Sequence, residues 1–203
     1  MTSPGHGGRR RIFVAVPITP ALRDAALSMM RRALRVEAGA LRWVEGEALH
    51  VTLRFLGEIT EPEVARAVEA ARIAAAASAA FSITLAGGGA FPSLRRPRTV
   101  WMGVAAGAER LAALSQALDT ALVERQFRQD ARGFHAHVTV ARVRSERAAP
   151  DLSGCAERLK GPAAPVAGSQ RVGGISVMES ALLPSGAVYR EICSARFGAL
   201  PVE

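Results

Sequence analysis

His50-Val51-Thr52-Leu53 and His137-Val138-Thr139-Val140 carry the same pattern, a histidine and a threonine flanking one aliphatic residue. Side chains alternate along a strand, so His50 and Thr52 share one face while Val51 and Leu53 point to the other. His137 and Thr139 repeat the arrangement, with Val138 and Val140 behind them. Each strand thus offers one ring nitrogen and one hydroxyl to a groove and anchors itself through its aliphatic residues. The surroundings match as well. Phe13 to His50 spans 37 residues and Trp101 to His137 spans 36, each interval running strand, helix, then the His-x-Thr strand. A repeat of this length predicts two similar lobes facing each other. Two groups able to carry protons and two hydroxyl donors would then surround one small anion.

The rest of the chain follows from the same periodicities. Arg11 to Val16 reads as a buried strand closed by the turn signal PITP, and Ala21 to Val36 as an amphipathic helix. Leu49 to Leu56 alternates as a strand ending at Gly57, and Pro62 starts a helix running to about Ala80. Phe81 to Leu85 is a strand before the break Gly87–Gly89. In the second half, Thr99 to Val104 is a strand and Glu109 to Arg125 a helix with a leucine stripe. Phe134 to Val143 is again a strand. Arg144 to Pro165 reads as a loop with a short helix at Leu152–Leu159. Val172 to Met178 and Val188 to Arg196 close the chain as strands around the turn LLPSG. The short returns favour antiparallel pairing and an α+β class over a doubly wound parallel sheet. The expected organisation is a loose N-terminus over residues 1–9 and a single bilobal domain over residues 10–200.

Composition narrows the function classes. The 203 residues are 49% hydrophobic and 22% charged, which excludes a disordered tail, a collagen-like repeat and a disulfide scaffold. Twenty-six Lys and Arg against eighteen Asp and Glu leave a net charge of +8, which favours anionic partners, phosphate or nucleic acid first. Lys160 is the only lysine, a skew that fits codon bias better than a designed arginine patch. Cys155 and Cys193 are the only cysteines, and without a CxxC pair they read as reduced core thiols of a cytoplasmic protein. The apolar run after Arg9–Arg11 meets Pro17, Pro20, Arg23 and Asp24 too soon for a signal peptide. No stretch approaches the length of a membrane span. No obligate protein partner is implied.

HVTLRFLGE at His50–Glu58 and FHAHVTVAR at Phe134–Arg142 resemble the two motifs of the two-histidine (2H) phosphoesterases. Among these the chain is most similar to the bacterial and archaeal RNA 2′,3′-cyclic phosphodiesterases, formerly named 2′-5′ RNA ligases. The resemblance extends to RRIFVAVPITPALRD, RWVEGEALHVTL and MESALLPSGAVYREI, and so covers Arg10 to Phe197 in family order. Members often carry Pro between the two histidines of the second motif, where Ala136 stands here. The resemblance implies two pseudo-symmetric lobes of antiparallel sheet, with helices packed outside and a central groove between. It implies metal-independent hydrolysis of a terminal 2′,3′-cyclic phosphate on RNA to a 2′-phosphate, with no cofactor. His50 would be the acid and His137 the base, with Thr52 and Thr139 on the phosphate oxygens. No P-loop is present, which speaks against nucleotide-driven ligation.

Further residues are open at this stage. Arg142 matches a basic position of the family motif, but strict alternation puts it opposite Thr139 unless the strand ends or bulges first. Arg54 shares the face of His50 and Thr52 by strict alternation and is a second candidate for phosphate contact. Phe55, at the position equivalent to Arg142, would either stack on a base or sit in the core. His135 shares a face with His137 and would lie behind it or at the surface. Two alternatives remain: a metal site built from His50, His135 and His137, or a module that binds RNA ends without catalysis.

Overall fold

The computed structural model describes residues 8–35, 39–44, 49–131, 133–145, 149–183 and 186–198, with backbone alone at 182–183 and 186–187. Residues 1–7 of the expected loose N-terminus and Pro184 and Ser185 of the turn LLPSG lie outside the described residues. The first strand, β1 (Arg10–Pro17), buries Ile12 to Val16 without interruption. Pro20 then opens α1 (Pro20–Leu34), where its fixed φ suits the first turn and its missing N–H costs nothing. Leu22, Ala26, Leu27, Met30 and Leu34 form the buried face of α1. A short β2 (Leu41–Trp43) precedes β3 (His50–Ile59), which bears the first motif. α2 (Glu61–Ala76) starts with a capping box, in which the Glu63 carboxylate accepts from the Thr60 backbone N–H at 2.7 Å. β4 (Phe81–Pro92) and β5 (Pro97–Ala106) form a hairpin, and α3 (Ala108–Val123) leads toward β6 (His137–Val143), which bears the second motif. A single 3-10 turn and the short α4 (Ala156–Lys160) come before β7 (Val166–Val172), β8 (Gly174–Leu183) and β9 (Gly186–Arg196).

All the pairings are antiparallel, in the order β7-β4-β5-β6-β3-β1-β8-β9, with β2 added to β6. The two halves of this sheet meet where β3 and β6 pair through one residue pair, Val51 with Val138. The expected α+β class and two-lobed sheet are therefore present, but the lobes are not the two halves of the sequence. β4, from the first half, joins β5 in the second lobe, while β8 and β9 return to β1 in the first. The helices cross over too. α1 follows β1 yet packs with α4 against the second lobe, on β7 and β6, and α3 follows β5 yet packs with α2 beside β3. Each His-x-Thr strand is thus flanked by chain from both halves, which ties the lobes together despite their narrow junction.

Several strands outrun their sequence signals. β3 continues through Gly57, whose φ of +74° lets the strand turn without ending it, and β4 continues through Gly87–Gly89 with shifts of register. β2 and the edge strand β7 had no alternating pattern to reveal them. The second-motif strand begins at His137 and not at Phe134, so His135 precedes the strand and does not share its regular face. Both cysteines are free, Cys155 buried as expected and Cys193 only half-buried on β9.

Arg54 corrects the reading of alternation. Val14 faces Arg54 and Ala15 faces Thr52, so Leu53 is an extra residue in β3, a bulge that turns Arg54 from the groove to the helix side. There Arg54 is 8% exposed and pairs with Asp119 of α3 at 3.0 Å and Asp130 at 3.1 Å, while its Nη2 donates to the Arg128 carbonyl. The side chain fastens the first motif strand to the connection that delivers the second. Arg54→Ala leaves two part-buried carboxylates facing each other and should cost about 2–4 kcal/mol, read as a lower urea midpoint at unchanged slope. An unchanged midpoint would show that this ion-pair cluster does not hold the connection.

Candidate active site

The single Val51–Val138 pair sets the geometry of the centre. Both valines are fully buried, so the flanking residues face the other way, into the groove. In an antiparallel pair the count runs in opposite directions, which puts His50 opposite Thr139 and Thr52 opposite His137. All four are half-buried. The two motifs are therefore interlocked: each histidine stands across from the other motif's threonine. Two imidazoles and two hydroxyls thus flank the Val51–Val138 pair on the groove face of the sheet.

Matching bulges shape both arms of this patch. In β6, Val100 faces Ala141 and Trp101 faces Thr139, so Val140 is the extra residue, the counterpart of Leu53. Both bulges come three residues after the motif histidine. Each resets the alternation, so Ala141, like Arg54, turns to the core side and the next residue returns to the groove. Arg142 thereby shares a face with His137 and Thr139, is exposed, and donates to Thr99 Oγ1 at 3.4 Å. Phe55 returns to the groove face in the same way, opposite Phe13, and is 48% exposed. Because the strands are antiparallel, Arg142 lies beyond the His50–Thr139 pair and Phe55 beyond the Thr52–His137 pair.

Aromatic rings hold each imidazole. Phe13 lies 4.7 Å from the His50 ring and Tyr189 meets it edge-on at 5.3 Å. Phe91 meets His137 edge-on at 5.0 Å and Trp101 lies 6.2 Å away. Gly89 makes room for that indole, since a Cβ there would stand 2.5 Å from the Trp101 ring. None of these four aromatics announces itself in the sequence. Only their place on strands paired with the motif strands brings them in, and β-strand aromatics alone read as core.

His137 also has a defined tautomer. Its Nδ1–H donates to the His135 carbonyl oxygen at 2.7 Å, and a carbonyl can only accept, so Nε2 is left with its lone pair when the ring is neutral. Burial pushes the His137 pKa below the ordinary histidine value. The His135 carbonyl opposes that shift, and the positive charges of His135 and Arg142 add to it. His137 is therefore biased toward the neutral, proton-accepting form. The His135 side chain is exposed beside Trp101 and Phe91, with ring centres 4.9 and 5.5 Å away, so its backbone contributes more to the centre than its ring. Among the described residues, no three His, Cys, Asp or Glu side chains form a group able to hold a metal ion.

This arrangement of paired motifs on a two-lobed sheet is shared with known proteins. The sequence profile of the 2′-5′ RNA ligase superfamily matches residues 19–179. The chain belongs to that superfamily. A relative named RNA 2′,3′-cyclic phosphodiesterase from Aeropyrum pernix is 34% identical over 166 residues, 82% of this chain and 92% of the relative. One of the same name from Methanothermobacter thermautotrophicus is 32% identical over 182 residues, 90% of this chain and 96% of the relative. Among solved structures, TT0787 of Thermus thermophilus superposes with a TM-score of 0.75 at 26% identity, covering 92% of this chain and 97% of that one. Escherichia coli LigT complexed with 3′-AMP gives a TM-score of 0.70 at 26% identity, covering 93% and 98%. The superfamily assignment and the two-lobed fold agree with the sequence resemblance. No helix among the described residues is long and apolar enough to cross a membrane.

Proposed function

We propose that this superfamily member is an RNA 2′,3′-cyclic phosphodiesterase, opening the terminal cyclic phosphate of RNA to a 2′-phosphate without a metal or cofactor. The observation that carries this reading is the crossing of the two motifs at Val51 and Val138, which supports an acid, a base and two neutral donors acting on one phosphate. The close relatives bear the same name over most of their length. RNA ends or nucleotides with a 2′,3′-cyclic phosphate are the partners, and two free cysteines fit a cytoplasmic setting.

The base role rests on the surroundings of His137, and the acid role of His50 on the resemblance to the 2H phosphoesterases. Thr52 and Thr139 donate to the non-bridging phosphate oxygens, and Arg142 adds positive charge from the His50 side. His137 Nε2, neutral and oriented by the His135 carbonyl, takes a proton from water as its oxygen attacks phosphorus. The phosphorus–O3′ bond breaks, and His50 gives its proton to the departing O3′. The phosphate stays on O2′, the 3′-hydroxyl is free, and proton exchange with solvent restores both imidazoles. Histidine suits both tasks because its ordinary pKa lies near neutrality.

His50→Ala and His137→Ala should each lower turnover of a 2′,3′-cyclic nucleotide by about 10²-fold or more in EDTA, with cooperative unfolding preserved. Full activity in either variant would remove the acid–base pair, and retained RNA-end affinity without any turnover in the wild type would favour a binding module. Thr52→Val and Thr139→Val keep the strand packing and delete a donor to a charged phosphate, worth about 1.5–3 kcal/mol, so kcat/KM should drop roughly ten- to hundredfold. An unaffected rate in both would place the phosphate elsewhere.

The pH profile of kcat/KM should be a bell with macroscopic limbs. The rising limb reports loss of a proton from the base. Because the His137 pKa is lowered, that limb should lie below pH of about 6.5, the ordinary histidine value. Arg142→Gln removes one positive charge that disfavours the imidazolium, so the rising limb should move to higher pH. A limb that stays in place or moves down would show that His137 does not set it.

A further inference from the structure

The reacting centre is nearly symmetric, since each histidine faces a threonine, yet a cyclic phosphate on the end of RNA must enter in one orientation. Direction has to come from the positions just outside the centre, and these differ. On the Thr52–His137 side stands Phe55, while on the His50–Thr139 side stands Arg142. Arg142 does not stand alone. β2 pairs with the same edge of β6 that β3 uses at Val138, and its register places Arg42 directly opposite Arg142. Both arginines are exposed and lie on one face of the sheet. The Arg42 side chain has no hydrogen-bond or ion-pair partner among the described residues, and Arg142 has only the Thr99 hydroxyl.

Like charges directly opposed across two strands destabilise a sheet unless something neutralises them. β2 keeps the pair in place through the opposite face, where Leu41 is 3% exposed and the Arg31 guanidinium lies 5.1 Å over the Trp43 ring. Val44 N–H still donates to the Val140 carbonyl, and the first-motif strand joins the same edge at Val138. The Arg42–Arg142 pair therefore borders the centre on the side of the proposed acid. That acid protonates O3′, so the ribose and the chain attached to it lie on this side as well.

We infer that Arg42, together with Arg142, binds a backbone phosphodiester upstream of the terminal nucleotide, and so selects oligonucleotide ends over free cyclic nucleotides and fixes the direction in which RNA enters. The inference rests on the proposed phosphodiesterase activity and adds a second phosphate site to it. The distance fits. Arg142 is three residues beyond Thr139, about 7–10 Å along a strand shortened by one bulge, and its neighbour Arg42 is about 4.8 Å to the side. Two guanidinium groups side by side match the oxygens of a phosphodiester, and the planar fork of Arg suits phosphate better than a point charge.

The test compares 2′,3′-cyclic AMP with an RNA trinucleotide ending in a 2′,3′-cyclic phosphate, using wild type, Arg42→Ala and Arg42→Lys. Wild type should prefer the trinucleotide in kcat/KM. Arg42→Ala should reduce that preference about tenfold, chiefly through KM, and should lower the slope of log KM against log salt by about 0.7, the share of one phosphate on a single strand. Arg42→Lys should restore most of the salt slope and less of the preference. Equal losses on both substrates, no loss on either, or no wild-type preference would overturn the inference. Anisotropy with the labelled trinucleotide 2′-phosphate product separates this from the activity itself: unweakened binding in Arg42→Ala refutes the second site even if neither substrate turns over.

Discussion

One buried contact between two valines organises this protein. Val51 and Val138 are the residue pair through which the two lobes of the sheet join, and they lie at the midpoints of the two His-x-Thr motifs. Burying both sends the four polar side chains to the opposite face, and the antiparallel count crosses them, histidine to threonine, twice. A slip of one residue at this junction would turn the whole set into the core. The helices, the exchanged strands and the Arg54 ion pairs all serve to hold that register. With a ladder of one residue pair, little else in the sheet does so directly.

The two bulges then give the site its depth and its direction. A strand in strict alternation would aim Arg54 and Ala141 into the groove and bury Phe55 and Arg142. Leu53 and Val140, each three residues past the histidine, reverse that outcome at equivalent points. The bulges thus convert a symmetric pair of strands into a groove with an aromatic end and a cationic end. The same chemistry sits in the middle, but the approach to it differs on the two sides.

The centre was legible in the sequence because its signal is local. Two His-x-Thr strands at nearly equal spacing after similar elements, together with the resemblance to the 2H phosphoesterases, point to the α+β class and the superfamily and put the histidines and threonines on one face of their strands. What escaped is non-local. Arg54 looks like a phosphate ligand until Asp119 and Asp130, far along the chain, are seen beside it. Arg142 is a candidate on condition of a bulge, and the pairing with β5 supplies that bulge. Arg42 sits on a three-residue strand too short to alternate, and β7 (VAGSQRV) is a polar edge strand without a buried stripe. The lobes likewise differ from the sequence halves because strands and helices are exchanged between them, which no periodicity records.

The account stands on both imidazoles sharing one phosphate. 15N-histidine NMR of the protein titrated with inorganic phosphate in EDTA tests this most directly, with the resonances of His50 and His137 assigned by the single alanine variants. Both rings should shift together along one isotherm with a stoichiometry of one phosphate. A response from one ring alone, or two isotherms with separate affinities, would contradict the interlocked centre.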